Sequence, residues 1–265
     1  MAQPDIDDTI GIFGGTGWLG GALGRNLLRR GLPPGRLSIT NRRGPTADYD
    51  AWPGVVWQPD LATLAGGCSV LVLSVRPGDY GPPAPLPFPG VVVSFMGGVT
   101  LDRLARDWPR ARICRAMPGG GASEGTAHVP FCTAPGMSGA DRTRCATILS
   151  ALGHADQVAD EPALSYMAAL SGSGAAYPAL MAQAMFNHAV ARGIPADIAW
   201  RAVRSVVCDA PAQFRDGPDR IAALLDTYHG FRGVTSAGLN AAADAGFARA
   251  IGAGLDAATA REASS

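Results

Sequence analysis

Ile10-Gly11-Ile12-Phe13-Gly14-Gly15-Thr16-Gly17-Trp18-Leu19-Gly20-Gly21-Ala22-Leu23-Gly24 decides how the chain is read. A short apolar run, Ile10 to Phe13, meets a glycine cluster, and a helix-like segment from Leu19 to Arg30 follows. Gly15, Gly17 and Gly20 fit the G-x-G-x-x-G spacing. Glycine serves three purposes there: a tight turn, close approach of backbone to a pyrophosphate, and close packing of helix on strand. The first helical amides, with their partial positive charge, then face the phosphates. With 35 glycines in 265 residues the triplet alone arises easily by chance. Its position between a strand and a helix makes it a dinucleotide fingerprint, with Gly15, Thr16, Gly17, Trp18, Leu19 and Gly20 as the phosphate-facing segment.

Working outward, the first half alternates short β-type runs with helical or loop segments. The runs are Ile10–Phe13, Leu37–Thr40, Val55–Trp57, Val70–Val75, Val91–Phe95, Arg112–Arg115 and Val129–Thr133. Unbroken apolar runs of this kind suit strands buried on both faces of a parallel sheet. Leu19–Arg30, Leu61–Ala65 and Leu101–Asp107 read as helices between them. The alternation predicts an α/β Rossmann domain, doubly wound with a mostly parallel sheet, over residues 1–159. Residues 78–89, rich in proline and glycine, read as an exposed loop.

Beyond Ala159 the strand signal stops, and residues 160–265 read as an all-α domain. Helices are expected at Ala163–Leu170, Ala175–Arg192, Ala196–Phe214, Pro218–Thr227 and Ser236–Ala260, the last broken near Gly246. Gly193-Ile194-Pro195 ends one helix and starts the next. Such Ala-rich, charge-poor helices are apolar around much of their circumference, and a bundle of about 100 residues has little interior to bury them. Dimerisation through this half is the physical expectation.

Composition narrows the function classes. Twenty-two basic and 22 acidic residues cancel, so no global field draws nucleic acid or an acidic membrane. No apolar run approaches the roughly 18 residues of a membrane span, and residues 1–9 do not read as a signal peptide. Cys68, Cys114, Cys132, Cys145 and Cys208 show no metal-ligand spacing, so free thiols, no metal site and a cytoplasmic location are expected. All the basic residues are arginine. The absence of lysine excludes Schiff-base chemistry, a P-loop lysine and the Y-x-x-x-K pair of short-chain dehydrogenases.

Thr40-Asn41-Arg42-Arg43 lies just past the second strand, about twenty residues beyond Gly20, where an NAD enzyme carries an acid for the ribose hydroxyls. No acid occurs between Leu37 and Ala47, and two arginines do. NADPH is therefore expected in preference to NADH, with Arg42 and Arg43 toward the 2′-phosphate and Asn41 beside the adenosine. Ser74-Val75-Arg76-Pro77, after the fourth strand, falls where strand ends converge on the cofactor crevice. Ser171 and Ser173 have no His or Asp at a sequence spacing that would activate them, and read as turn and cap residues.

Several segments together resemble the pyrroline-5-carboxylate reductase family. Val92 to Leu101, V-V-S-F-M-G-G-V-T-L, resembles its V-V-S-x-x-A-G-V-x-x, and Ser74-Val75-Arg76-Pro77 its A-V-K-P. Arg115-Ala116-Met117-Pro118 matches R-x-M-P, and Ser171-Gly172-Ser173-Gly174-Ala175-Ala176-Tyr177 is close to S-G-S-G-P-A-Y. Similarity runs, with gaps, from residue 10 to about 250. The glycine opening is also similar to deazaflavin-dependent NADP reductases, but S-G-S-G-x-A-Y decides against them. The resemblance implies NADPH-dependent reduction of a cyclic imine, a homodimer that can assemble further, and nicotinamide near Met117 and Pro118. It implies a substrate loop at Arg232-Gly233-Val234-Thr235-Ser236, with Thr235 and Ser236 as the catalytic hydroxyls. Ser236 stands where the family has a threonine facing the ring nitrogen.

Four departures mark the chain: Arg232 for the loop's proline, Val234 for its second glycine, Gly119 for the asparagine after Met-Pro, and Gln183 and Asn187 for acids. They imply an intact NADPH half and a reshaped imine pocket. The competing reading is a non-catalytic NADPH-binding regulator, which would bind the nucleotide without oxidation by any imine.

Overall fold

A computed structural model describes residues 8–81, 85–174, 176–231 and 233–263. They form two compact units: the described residues from 8 to 173 together with 257–263, and those from 174 to 256.

The described residues of the first unit hold an eight-stranded sheet: β1 Ile10–Phe13, β2 Leu37–Thr40, β3 Val56–Trp57, β4 Val70–Leu73, β5 Val91–Ser94, β6 Arg112–Ala116, β7 Ala127–Thr133 and β8 Gly153–Gln157. Their order is β3-β2-β1-β4-β5-β6-β7-β8. All neighbours are parallel except β6 and β7, which are antiparallel. The helices are α1 Trp18–Arg29, α2 Leu61–Gly66, α3 Leu101–Asp107, α4 Gly139–Leu149 and α5 Glu161–Met167. Alternation along β4 sends Val70 and Val72 into one core layer and Leu71 and Leu73 into the other. The first layer includes Leu23 and Leu27 of α1 and Ile148 of α4; the second includes Leu64 of α2 and Leu104 of α3. Both faces of the sheet's centre are thus covered, which is why β4 and β5 are runs of apolar residues.

The expected Rossmann fold is what the chain adopts. Two of its elements, β8 and α4, went unread in the sequence. β8, G-H-A-D-Q, is polar and largely exposed, and α4, G-A-D-R-T-R-C-A-T-I-L, has little apolar stripe. The start of α4 is instead set by Ser138, whose hydroxyl accepts from the Asp141 amide at 3.0 Å.

The register places function. Phe13 pairs with Thr40 and Leu73, Leu73 with Ser94, and Ser94 with Arg115. The strand ends therefore form one row. The residues just beyond them, Asn41, Gly14, Ser74, Phe95 and Ala116, share one rim of the sheet. Between β1 and β4 the order reverses direction, the switch point where α/β sheets open a ligand crevice.

The second unit is helical, with α6 Ala176–Ala191, α7 Ala196–Arg204, α8 Pro218–Gly230, α9 Val234–Asp244 and the greater part of α10 Phe247–Ala263. Gly193, at φ 86°, ends α6, and Gly246, at φ 90°, separates α9 from α10. The expected helix over 196–214 is α7 followed by a π-turn at Ser205–Asp209 and a 3-10 turn at Ala210–Phe214. The helix expected from Ala163 likewise ends in a π-turn, Ala168–Gly172, within the first unit. No residue of α6 is buried, and Leu180, Met181, Met185 and Val190 are exposed. A helix that is apolar all round and uncovered in the single chain calls for a partner surface.

Candidate functional site

The glycine loop takes its shape from crowding. Gly14 has φ 89°, and a Cβ there would lie 2.2 Å from the Ser74 carbonyl oxygen. No L-residue fits in that space or that conformation. Gly20 faces the same corner, where a Cβ would meet the Gly14 carbonyl oxygen at 2.6 Å and the Ser74 side chain at 3.0 Å. The Gly14 carbonyl accepts from the Gly17 amide at 2.9 Å, while the Gly14 amide donates to Thr40 at 2.8 Å. The loop is thereby tied to β2 and to the end of β4. Gly17 is the N-cap of α1, and no side chain caps the helix's first amides.

Among the described residues, a cavity of about 330 Å³ opens at this rim, with Gly14, Thr16, Gly17, Asn41, Arg42, Arg43, Ser74, Val75, Arg76 and Asp79 in its wall. Three of the expected segments, from the ends of β1, β2 and β4, are thus brought together. Gly15 and Gly20 act behind the wall: a Cβ on Gly15 would strike Ile39 at 2.8 Å. Leu19 packs against the core, Trp18 is 59% exposed at the mouth of α1, and Pro77 opens the 3-10 turn Pro77–Asp79.

The chemistry of this cavity fits a phosphorylated dinucleotide. Asn41 Nδ2 donates to Thr16 Oγ1 at 2.7 Å, which leaves Asn41 Oδ1 shielded and without a donor. A sugar hydroxyl supplies such a donor. Arg43 and Arg76 have no side-chain partner among the described residues, and Arg42 lies 3.5 Å from Asp79. Guanidiniums unsatisfied in this way suit a phosphate.

Met117 and Pro118, two and three residues past Arg115, are buried. The Met117 amide donates to Pro130 at 3.0 Å and the Gly119 amide to His128 at 3.0 Å, extending the β6–β7 pairing. Asn26 of α1 fixes the following glycine run by donating to the Ala122 and Ala151 carbonyls, each at 3.0 Å. Arg115 is 3% exposed and held by Glu161 at 2.5 Å and Glu262 at 3.4 Å. Glu161 also accepts from the Leu101 amide at 2.9 Å, and Glu262 from the Gly98 amide at 3.3 Å. Through these two carboxylates Arg115 braces the loop after β5. The glycine at 119 has a steric cause: a Cβ there would lie 2.7 Å from the Ser171 carbonyl oxygen.

One sequence expectation needs correction at Ser171. His128 Nδ1 lies 3.0 Å from Ser171 Oγ, and His128 Nε2 lies 3.0 Å from Asp156. A histidine 43 residues away in sequence does therefore reach this serine, and an acid 28 residues from that histidine reaches its other ring nitrogen. The Ser171 hydroxyl donates to the Met167 carbonyl at 2.9 Å. The trio ties β7 and β8 to the π-turn.

Tyr49 also escaped the sequence reading. Its buried hydroxyl donates to the Gly15 carbonyl at 2.7 Å, supporting the phosphate loop from behind. Burial holds its phenol protonated, far above the ordinary tyrosine range. A tyrosine 29 residues downstream of Gly20 leaves no periodic or motif signal. Asp79, the carboxylate in the cavity wall, was missed for the same reason.

In the second unit, α9 begins at Val234 with Gly233 as N-cap, φ −124° and ψ −157°. Extended backbone of this kind asks nothing unusual of either residue, so valine at 234 is accommodated as the first helical residue. Val234 is 91% exposed and Thr235 is exposed, whereas Ser236 is buried and donates to the Gly233 carbonyl at 3.0 Å. The amides of Val234, Thr235 and Ser236 precede the first intrahelical donor, Ala237. Arg232 lies outside the described residues. Tyr177 packs near Gly254, as expected of a structural aromatic.

The family model described as pyrroline-5-carboxylate reductase dimerisation matches residues 161–265. A pyrroline-5-carboxylate reductase of Synechocystis sp. is 27% identical over 252 residues, covering 91% of this chain and 92% of the relative. Residues 161–265 thus match the dimerisation domain of pyrroline-5-carboxylate reductases, and the chain as a whole is similar to them. Its fold is that of solved reductases. One from Coxiella burnetii superposes with a TM-score of 0.83 at 23% identity, over 96% of this chain and 97% of that one. One from Plasmodium falciparum, solved with NADP bound, gives 0.82 at 17% identity over 98% of each chain. Among the described residues, no helix is long and apolar enough to cross a membrane.

Proposed function

We propose that this chain is an NADPH-dependent reductase of a cyclic imine, converting 1-pyrroline-5-carboxylate to proline or reducing a related cyclic imine. The observation that carries the reading is the acid-free rim Asn41–Arg43 with its free acceptor Asn41 Oδ1, in a chain similar to pyrroline-5-carboxylate reductases. NADPH, when bound, supplies the hydride for the C=N carbon. Arg42 and Arg43 bind its 2′-phosphate and so prefer it to NADH, and Asn41 accepts from the adenosine ribose. The first amides of α1, entered through Gly17, face the pyrophosphate. Arg76 covers the nucleotide from the β4 side, with Ser74, Val75 and Pro77 forming its base. Met117 and Pro118 support the nicotinamide, held in place by the clamp on Arg115.

The substrate loop works through its backbone. The amides of Gly233 and Val234, with those at the start of α9, hold the carboxylate of the imine without a cationic side chain, and Arg232 precedes them in sequence. Thr235 and Ser236 offer hydroxyls to the ring nitrogen, Ser236 by turning from the Gly233 carbonyl. Hydroxyls are poor acids, so the iminium proton comes from solution. Residues 1–159 serve as the cofactor domain and 160–265 as the dimerisation and substrate domain, with the exposed face of α6 buried in a homodimer that can assemble further.

The test is initial-rate NADPH oxidation with 1-pyrroline-5-carboxylate and with the uncharged 1-pyrroline, each repeated with NADH. Turnover that favours the carboxylated imine and NADPH supports the assignment. Nucleotide binding with equal inactivity on both imines would refute catalysis and favour a regulator.

A further inference from the structure

We infer that Asp79 is a specificity-determining residue of the cofactor site, a carboxylate whose charge limits how strongly the chain prefers a nucleotide bearing a 2′-phosphate. The inference rests on the reading of the Arg42 rim as the 2′-phosphate site. Asp79 closes the 3-10 turn Pro77–Asp79 that follows the cofactor loop after β4. Its own amide donates to the Arg76 carbonyl at 2.8 Å, and the next amide, of Tyr80, reaches the same carbonyl at 3.2 Å. Pro77 fixes φ at the turn's start. Tyr80 is buried, its hydroxyl accepting from the Trp108 indole at 2.8 Å. The carboxylate therefore stands on an anchored turn.

The cavity wall holds three guanidiniums, of Arg42, Arg43 and Arg76, and one carboxylate, of Asp79. That carboxylate is 39% exposed, and its Oδ1 lies 3.5 Å from Arg42 Nη1. A phosphate monoester brings a charge near −2. To bind at Arg42 it competes with Asp79 for the same N–H groups and is repelled by it. In water-like dielectric a unit charge and a dianion about 7 Å apart repel enough to weaken binding about eightfold, and salt screening reduces this to about threefold. A nucleotide with a free 2′-hydroxyl meets neither effect. Asp79 thus moderates the preference that Arg42 and Arg43 create.

The test is the Asp79→Asn variant, which keeps the shape and removes the charge. Dissociation constants for NADPH and NADH are measured by titration of nucleotide fluorescence at about 0.05 M and 0.5 M salt, with Arg42→Ala in parallel and thermal melting as the folding check. The expected result is NADPH binding three- to eightfold tighter in Asp79→Asn at low salt, a smaller gain at high salt, and NADH unchanged. If Arg42→Ala weakens NADPH while Asp79→Asn leaves it unchanged or weaker, or shifts NADH in parallel, the role of Asp79 is overturned and the cofactor site stands. If Arg42→Ala changes neither nucleotide, the reading of the rim falls and the inference with it.

Discussion

Replacing Gly20 by alanine tests the rim at its tightest point. The new methyl would lie 2.6 Å from the Gly14 carbonyl oxygen and 3.0 Å from the Ser74 side chain. An ordinary carbon–oxygen contact needs well over 3 Å, so either α1 or the loop must move by roughly 0.7 Å. The Gly14 carbonyl has little freedom, since it accepts from Gly17 at 2.9 Å while its own amide is tied to Thr40 at 2.8 Å. Overpacking of this kind costs about 1–3 kcal/mol, offset by the roughly 1 kcal/mol that alanine gains over glycine in a helix. The net loss of stability is therefore small, about 0–2 kcal/mol. Nucleotide binding suffers more, because α1 carries the amides that face the pyrophosphate. An affinity loss of about tenfold to a hundredfold is expected, or 1.4–2.7 kcal/mol. Titration of NADPH fluorescence measures it, alongside thermal melting. Gly66→Ala, at the end of α2 with no atom within 4 Å of the new methyl, is the matched control and should bind as the parent does. A Gly20→Ala protein with parental affinity and melting temperature would refute the packing argument.

Tyr49→Phe keeps the edge-on contact with Trp57 at 5.7 Å but leaves the Gly15 carbonyl without its donor. A loss of about 1–3 kcal/mol is expected in a urea-unfolding curve, and an unchanged midpoint would contradict the supporting role. Burial pushes the thiols of Cys68 and Cys132 up to about 12 and about 11. Because the thiolate is the nucleophile, both should resist alkylation at pH 8 in the native protein, with Cys132 gaining about tenfold in rate per pH unit while its thiol remains mostly protonated. Mass spectrometry of native and urea-denatured samples reads this, and equal labelling in the two states would count against it.

Much of the fold was legible because its strands are buried on both faces. Runs such as Val70–Leu73 and Val91–Ser94 have no solvent side to interrupt them. The same logic explains what was missed. β8 is polar and largely exposed, and α4 carries D-R-T-R where an apolar stripe would be sought. The two π-turns kept the apolar spacing of the helices they follow, so Ala163–Leu170 and Ala196–Phe214 each read as continuous. At the site, glycines and arginines with a defined position after a strand could be found from sequence. Side chains that act from a distance could not: Tyr49 behind the loop, Asp79 across from Arg42, and His128 and Asp156 beside Ser171. Gly14 lies outside the motif triplet, yet it carries the positive φ and, of the loop's glycines, the closest backbone approach.

Direct transfer of hydride from NADPH to an imine carbon is followed most simply by isotope. With NADPH deuterated at both positions of nicotinamide C4 and 1-pyrroline-5-carboxylate as substrate, proline should form carrying one deuterium at the ring carbon of the former C=N bond. Oxidised nucleotide accompanied by unlabelled product, or nucleotide recovered unoxidised from the full protein, would contradict it.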